Sequence, residues 1–370
     1  MIRRWAATAR PTGLIALALA ASLVAIWLGD AVTESWFLAL SLFVGIAIGS
    51  LGLLMVGHLL GDLWLEPVRA ELEAASLTIP LLAALALPLA FGLEQLYPWA
   101  RDSFAAGAVP PLRRALFEPT GFVLRGALYL GCWTGLAVWI ARTGRHRAAS
   151  ALGLVLLAVT TSLAVIDWFM SREPFFWSTL YGFVFAVSQV LAALAGAIAI
   201  TLLRPGHPEA KRLRSLERVL LTLAILVLWV WFAQYIIIWL TNLPDEAAWY
   251  LARADWAWLK GGLVLPILVA AILIMVPPGA SRWQMLAAAF LVLAQHVGQM
   301  VWLIRPASQG ESSLVLDLVV GAALAAMAAA WLAECLRRRP RAPAQTDALR
   351  PAQRADVSPR VASGSGGLGG

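Results

Sequence analysis

The sequence predicts an all-α polytopic membrane protein of about ten transmembrane helices. Three observations predict it. Of 370 residues, 61% are hydrophobic and only 13% charged, far less charge than the surface of a soluble domain of this length needs. Runs of about twenty mostly apolar residues recur, each long enough to cross a hydrocarbon core of roughly 30 Å. The polar breaks between them are short, and basic residues gather in alternate breaks. Backbone groups in lipid must satisfy one another, and runs of this length do so as helices rather than as a barrel.

The expected spans are 12–29, 35–57, 77–98, 121–142, 149–170, 178–203, 216–242, 259–276, 283–304 and 313–336. The first follows a basic stretch and so also resembles a signal peptide. Its apolar part, Leu14 to Leu28, is near the upper length for one, and Ala18, Ala20 and Ala21 lie inside the run, so it reads as the first helix. After the second span, His58 to Pro67 leads into a short helix with Pro67 in its first turn, where Arg69 and Glu73 are spaced to pair. The third span contains Pro80 and Pro88, and the proline- and arginine-rich segment 98–121 reads as lying on the membrane surface. Segment 204–217 is basic and solvated in pattern. After the seventh span, Asn242 to Glu246 opens a short interfacial helix carrying Trp249, Tyr250, Trp256 and Trp258, aromatic anchors at headgroup level. Residues 1–336 thus form one ten-helix domain. Residues 337–370, rich in Arg, Pro, Ala, Ser and Gly, cannot bury a core and read as a disordered cytoplasmic tail. The eight central helices can form two bundles of four, with the first and last helices peripheral.

The net charge of +7 suggests nucleic acid until the charges are placed. With the N-terminus inside, the inner segments and tail hold about 20 Lys and Arg and the outer loops about 7, the positive-inside pattern. Both termini are then cytoplasmic. Cys132 and Cys335 stand far apart and read as small packing residues, with no disulfide framework or thiolate metal site.

Much chemistry is excluded. The chain has no P-loop and no Cys-x-x-Cys-His for haem c. Of four histidines only His58 and His296 are near the membrane, toward opposite faces, so paired haem b ligands and iron–sulfur ligands are missing. Ionisable groups inside a membrane are costly and mark candidate sites. The outer halves of the helices contain Arg125, Asp167, Gln234, His296, Gln299 and Asp317, with His296 and Gln299 on one face of the ninth helix. At the inner surface His58, Asp62 and Glu66 recur at i+4, provided that Gly61 does not break the helix. The bland reading of Arg125, Asp167 and Asp317 is interfacial residues reaching for headgroups or water, and of the His58–Asp62–Glu66 stripe a solvated helix end. The functional reading of both groups is stations on a water-assisted proton path.

The run from Ile166 through Asp167, Trp168 and Glu173 to Pro174, followed by Trp177 to Gly182, resembles a family signature. So does Phe232 to Trp239, with Gln234, followed by Asn242 to Glu246 and Trp249 to Leu251. A third match runs from Gly57 through His58, Trp64, Glu66 and Arg69 to Ala75. Together these resemble the ActF family, membrane subunits of the bacterial quinol:cytochrome c oxidoreductase called alternative complex III, within the broader NrfD/PsrC-like proteins. The resemblance covers roughly residues 35–305. It implies a ten-helix subunit with bundles from helices two to five and six to nine, in the bacterial inner membrane. It also implies a homologous ActC-like membrane subunit, and haem c and iron–sulfur clusters on separate multihaem and iron–sulfur subunits. This chain would bind no cofactor, with quinol as a conceivable contact, and would be a non-catalytic, proton-path subunit. The residues carried over are Asp167, Glu173, Gln234 and Asp245, with Asp167 and Glu173 at the outer face where protons would leave. The chain departs from the pattern at Gly57, where the family usually has a second histidine, and near Phe175, where it usually has another. Asp245, Glu246, Trp249 and Tyr250 read as a face for partner docking. The alternatives are a stand-alone secondary transporter, or the anchor of another molybdenum-type oxidoreductase.

Overall fold

The computed structural model describes residues 9–61, 64–104, 114, 116–144, 146–205, 210–279, 281–308 and 313–338. Among these the chain is all-α and polytopic. Nine helices are long and apolar enough to cross a membrane, and a shorter apolar helix, Thr12–Leu28, precedes them. The spans are α1 (Ala9–Leu28), α2 (Asp30–Leu60), α3 (Glu66–Phe91, in short segments), α4 (Pro119–Thr143) and α5 (Arg147–Trp168). They continue as α6 (Tyr181–Leu203), α7 (Ala210–Thr241), α8 (Ala254–Met275), α9 (Arg282–Ile304) and α10 (Leu314–Arg338). Helix α10 thus includes Arg337 and Arg338, which the sequence assigns to the tail; the rest of that tail lies outside the described residues.

Helices α2–α5 pack as one group of four and α6–α9 as a second, with α1 and α10 against α2 and α3. The seam between the groups is the α2–α6 crossing. Gly45 and Gly49 on α2, in small-xxx-small spacing, let the α6 backbone approach closely. A Cβ at Gly49 would stand 2.5 Å from the Gln189 carbonyl oxygen, and one at Gly45 would overlap the Gln189 side-chain amide. Beside the crossing, a groove of about 840 Å³ runs between α2, α5, α6 and α7.

Helix α3 is broken where its prolines fall, because proline has no N–H to donate and its ring crowds the carbonyl one turn earlier. Its neighbours supply the missing donors. Ser22 Oγ on α1 donates to Ala84 O (3.0 Å), the acceptor that Pro88 leaves open. Trp36 Nε1 on α2 donates to Leu85 O (2.7 Å), and Trp331 Nε1 on α10 to Leu77 O (2.7 Å). Unpaired carbonyls in lipid are expensive, so these three bonds help fix how α1, α2 and α10 dock.

Other ends follow local chemistry. Glu118 caps α4 by accepting from the Gly121 and Thr120 amides, which hold its carboxyl below the usual range. Ser281 and Gln284 form a capping box at α9. Pro67 opens a short 3₁₀ turn before Arg69–Ser76, and Arg69 lies 3.7 Å from Glu73, as the spacing predicts. Gly61, at φ 78°, ends α2 in the left-handed conformation that glycine adopts without strain. The i+4 stripe of His58, Asp62 and Glu66 is therefore broken after His58. Of the segment expected on the membrane surface, residues 105–113 and 115 lie outside the described residues, and Trp99 is buried in a cluster with Tyr97, Phe117 and Phe122. Exposed Trp27, Trp229, Trp239, Trp258 and Trp283 lie on the outer surface of the helices, as lipid-facing aromatics do.

The glycine seam separates two substitutions. Gly49→Ala meets backbone, which cannot swing away, whereas Gly45→Ala meets the end of a side chain. Overpacking typically costs about 1–3 kcal/mol. Thermal unfolding in detergent, followed by size exclusion, is expected to show a clearly lower midpoint for Gly49→Ala and a smaller drop for Gly45→Ala.

Candidate functional site

One end of the helices, where Asp167 lies, collects charge. Four arginine–carboxylate pairs stand there among the described residues, each tying together separate elements. Arg125 on α4 donates to both oxygens of Asp167 on α5 (2.9 and 3.0 Å), and Tyr129 donates to the same carboxylate at 2.7 Å. Arg172, after α5, reaches Glu34 on α2 at 2.9 and 3.1 Å, with Ser308 donating to Glu34 at 3.0 Å. Arg253, before α8, clamps Glu173 at 2.9 and 2.6 Å and donates to the Trp249 and Leu303 carbonyls. Arg305, after α9, donates to Asp317 on α10 and to Ser35 on α2. Two-toothed pairing, which Arg125, Arg253 and Arg305 make through two nitrogens each, fixes geometry as well as charge.

Below this layer, within α6–α9, lies a cavity of about 420 Å³. Its walls are apolar and aromatic, with Trp231, Tyr235, Trp249 and Trp302 among them. Phe176 stacks on Trp249, and Trp302 meets Trp249 edge-on, so the wall is continuous. The polar groups in the lining are Lys260, Gln234, Gln299, Ser188, Gln189, the clamped Arg253 and the hydroxyls of Tyr181, Tyr235 and Tyr250. The Lys260 amine lies 3.1 Å from the centroid of the Trp231 ring and donates to Gln299 Oε1.

Local sequence explains the position of Lys260. Pro266 cannot donate to the carbonyl one turn earlier, and Gly261 and Gly262 tolerate an irregular turn, so residues Lys260–Val264 widen into a π-helix. The Leu265 amide then bonds to Lys260 O. Such π turns frequently mark functional sites.

The candidate residues divide accordingly. Asp167, Glu173 and Asp317 are all engaged by arginine, so the reading of Arg125, Asp167 and Asp317 as groups reaching for headgroups or water gives way to ion pairs. Gln234 and Gln299 are buried and line the cavity together. His296 is buried, roughly 12 Å below the end of α9, and neither ring nitrogen has a hydrogen-bond partner. The adjacent Gln295 side chain is in the same state. At the opposite end His58 is buried and bonded to Ser150 (2.8 Å), so the expectation of a solvated helix end fails there. Glu66 lies 3.7 Å from Arg69, and Asp62 lies outside the described residues.

The docking face is also corrected. Asp245 is exposed and Glu246 half-buried on the helix Pro244–Leu251, but Trp249 is buried and both Trp249 and Tyr250 line the cavity. Burial raises the Tyr250 hydroxyl above its ordinary range. Sequence reasoning did not single out Lys260, at the head of the expected span 259–276, nor the partners Glu34, Arg172, Arg253 and Arg305. The available signal for Lys260 was a lysine beside Gly261-Gly262 and close before Pro266 at the head of an apolar run.

Among the described residues no three His, Cys, Asp or Glu side chains come together as metal ligands. No known protein-family model matches the chain, and no curated protein matches it.

The Arg172–Glu34 pair is the most buried of the four, and removing one partner of such a pair costs about 3–5 kcal/mol. Arg172→Met is expected to lower the unfolding midpoint strongly. Combined Arg172→Met and Glu34→Met is expected to recover much of the loss, as a double-mutant cycle by thermal melting would measure.

Proposed function

We propose that this chain is a membrane subunit of a quinol:cytochrome c oxidoreductase of the alternative complex III kind. In this reading it holds no redox centre, scaffolds the complex and carries protons. It lies in the bacterial inner membrane with both termini cytoplasmic. Its neighbours are an ActC-like membrane subunit and separate multihaem cytochrome c and iron–sulfur subunits.

The observation that carries the reading is the Glu173–Arg253 clamp. It joins the Asp167–Pro174 motif to the segment following the Phe232–Leu251 motif, so two stretches some sixty residues apart meet at one end of the helices. Gln234, Trp249 and Tyr250 from the second motif then line the same cavity. The third motif, with His58, lies at the opposite end.

The arginine-bound carboxylates close the Asp167 end. The proton-carrying groups in this reading are His296 and Gln299, which descend α9 from the cavity, with Gln295 beside them. A secondary transporter would place broken helices at matching positions of its two halves. Here the breaks fall in α3, second helix of its bundle, and α8, third of its own.

Purification of the tagged protein from native membranes in mild detergent tests the assembly. Haem- and iron–sulfur-bearing partners in fixed ratio are expected, and a chain that elutes alone without haem absorbance would overturn the reading. In the purified complex, His296→Leu is expected to slow proton-coupled turnover several-fold with assembly unchanged. Unaltered turnover would remove the proton role.

A further inference from the structure

The groove of about 840 Å³ between α2, α5, α6 and α7 takes no part in the candidate site and shares with its cavity one lining residue, Gln189. Its floor is the α2–α6 crossing, where Gly49 and Gln189 are in the lining. Its flanks are apolar, with Leu154 and Leu157 on α5 and Val219 and Leu223 on α7. No carboxylate lines it.

The register of α2 against α5 shows how far the groove runs. A Cβ at Gly52 would meet Leu157, one at Gly153 would meet Met55, and His58 bonds to Ser150. By the same antiparallel register Leu60, at one end of the groove, stands level with the first turn of α5. Ile166, toward the other end, lies about 27 Å farther along α5 at about 1.5 Å per residue. That is most of a hydrocarbon core of roughly 30 Å, and more than one leaflet is deep.

The two ends differ in charge. At the Asp167 end Arg125 and Arg172 are bound to carboxylates. At the His58 end Arg69, Arg204 and Arg338 are bound in the same way. Arg147 and Arg218 are not: both are exposed, and neither makes an ion pair among the described residues. Arg147 opens α5 at the level of Leu60, two turns before Leu154 and on the same face. Arg218 adjoins Val219 on α7, and Trp64 lines the groove at this end.

An occupant with a long apolar body and one anionic end fits this pattern. A partner's transmembrane helix would be apolar in the middle and polar at both ends, so charge left at one end favours a lipid. We propose that the groove holds the acyl chains of an anionic phospholipid from the leaflet at the His58 end, with its phosphate between Arg147 and Arg218. Lying along the joint between the bundles, the lipid touches helices of both. Such a site stands with or without redox partners.

Native mass spectrometry of the full-length protein, delipidated in mild detergent and titrated with dioleoyl lipids, tests this. Phosphatidylglycerol is expected to bind roughly tenfold tighter than phosphatidylcholine, as two basic side chains at a membrane surface would give. Combined Arg147→Gln and Arg218→Gln, both at exposed positions, is expected to remove that preference. Ala158→Trp, which puts an indole into the exposed part of the groove, is expected to weaken both lipids. Equal binding of the two lipids would overturn the proposal, as would a preference that survives the double arginine variant. Unchanged binding in Ala158→Trp, or displacement of the lipid by glycerol phosphate, would also overturn it, since the arginines would then hold a headgroup without the groove. Should Ala158→Trp misfold, the arginine variant, which leaves the groove's shape alone, still decides. A density map with a protein helix lying in the groove would likewise contradict a lipid there.

Discussion

The close approach of α2 and α6 at Gly45 and Gly49 is the contact on which the rest of the structure depends. In lipid there is little hydrophobic gain from pressing helices together, so association relies on van der Waals contact and hydrogen bonds. Two glycines one turn apart permit that contact, and Gln189 fills the space they leave. The same glutamine reaches the Met300 sulfur on α9 (3.7 Å) and lines the cavity. The joint between the two bundles and the candidate site therefore share a side chain.

A second constraint is polar satisfaction without water. Prolines break α3, and hydroxyl and indole donors from α1, α2 and α10 take the carbonyls at the breaks. At the Asp167 end, four arginine–carboxylate pairs link α4 to α5, α2 to the segment after α5, that segment to the one before α8, and α9 to α10. A charge near the membrane is tolerated when its partner comes from a neighbouring helix, so these pairs also specify which helices are neighbours. The cavity beneath them departs from this rule, because the indole N–H groups of Trp231 and Trp302 and the side-chain oxygen of Gln189 are buried there with no hydrogen-bond partner among the described residues.

Much of the fold was legible in the sequence because lipid enforces it. Apolar runs of spanning length give the helix count, and Pro67, Pro80 and Pro88 mark where helices start or break. The break at Gly61 was legible as a condition, and its left-handed φ settles it against the His58–Asp62–Glu66 stripe. Most of the ion pairs were not legible, because their partners lie far apart in the chain: Glu34 and Arg172 are separated by 138 positions, whereas Arg305 and Asp317 are only 12 apart. Asp167, Gln234, His296 and Gln299 could be singled out as polar groups in apolar runs, but their opposite surroundings could not. Lys260 was missed because a lysine at the head of a span looks like a loop residue; the π turn that Pro266 imposes brings it to the cavity wall. Trp249 was misjudged as a headgroup anchor because an amphipathic aromatic helix presents similar residues to a bilayer and to a neighbouring helix.

If the chain is a membrane redox subunit, as we propose, its redox partners sit at the Asp167 end. Electron cryo-microscopy of the particle isolated through this chain from native membranes tests it most directly. The account predicts haem- and cluster-bearing subunits seated over the arginine–carboxylate layer. A solitary ten-helix particle, or partner mass confined to the His58 end, would contradict it.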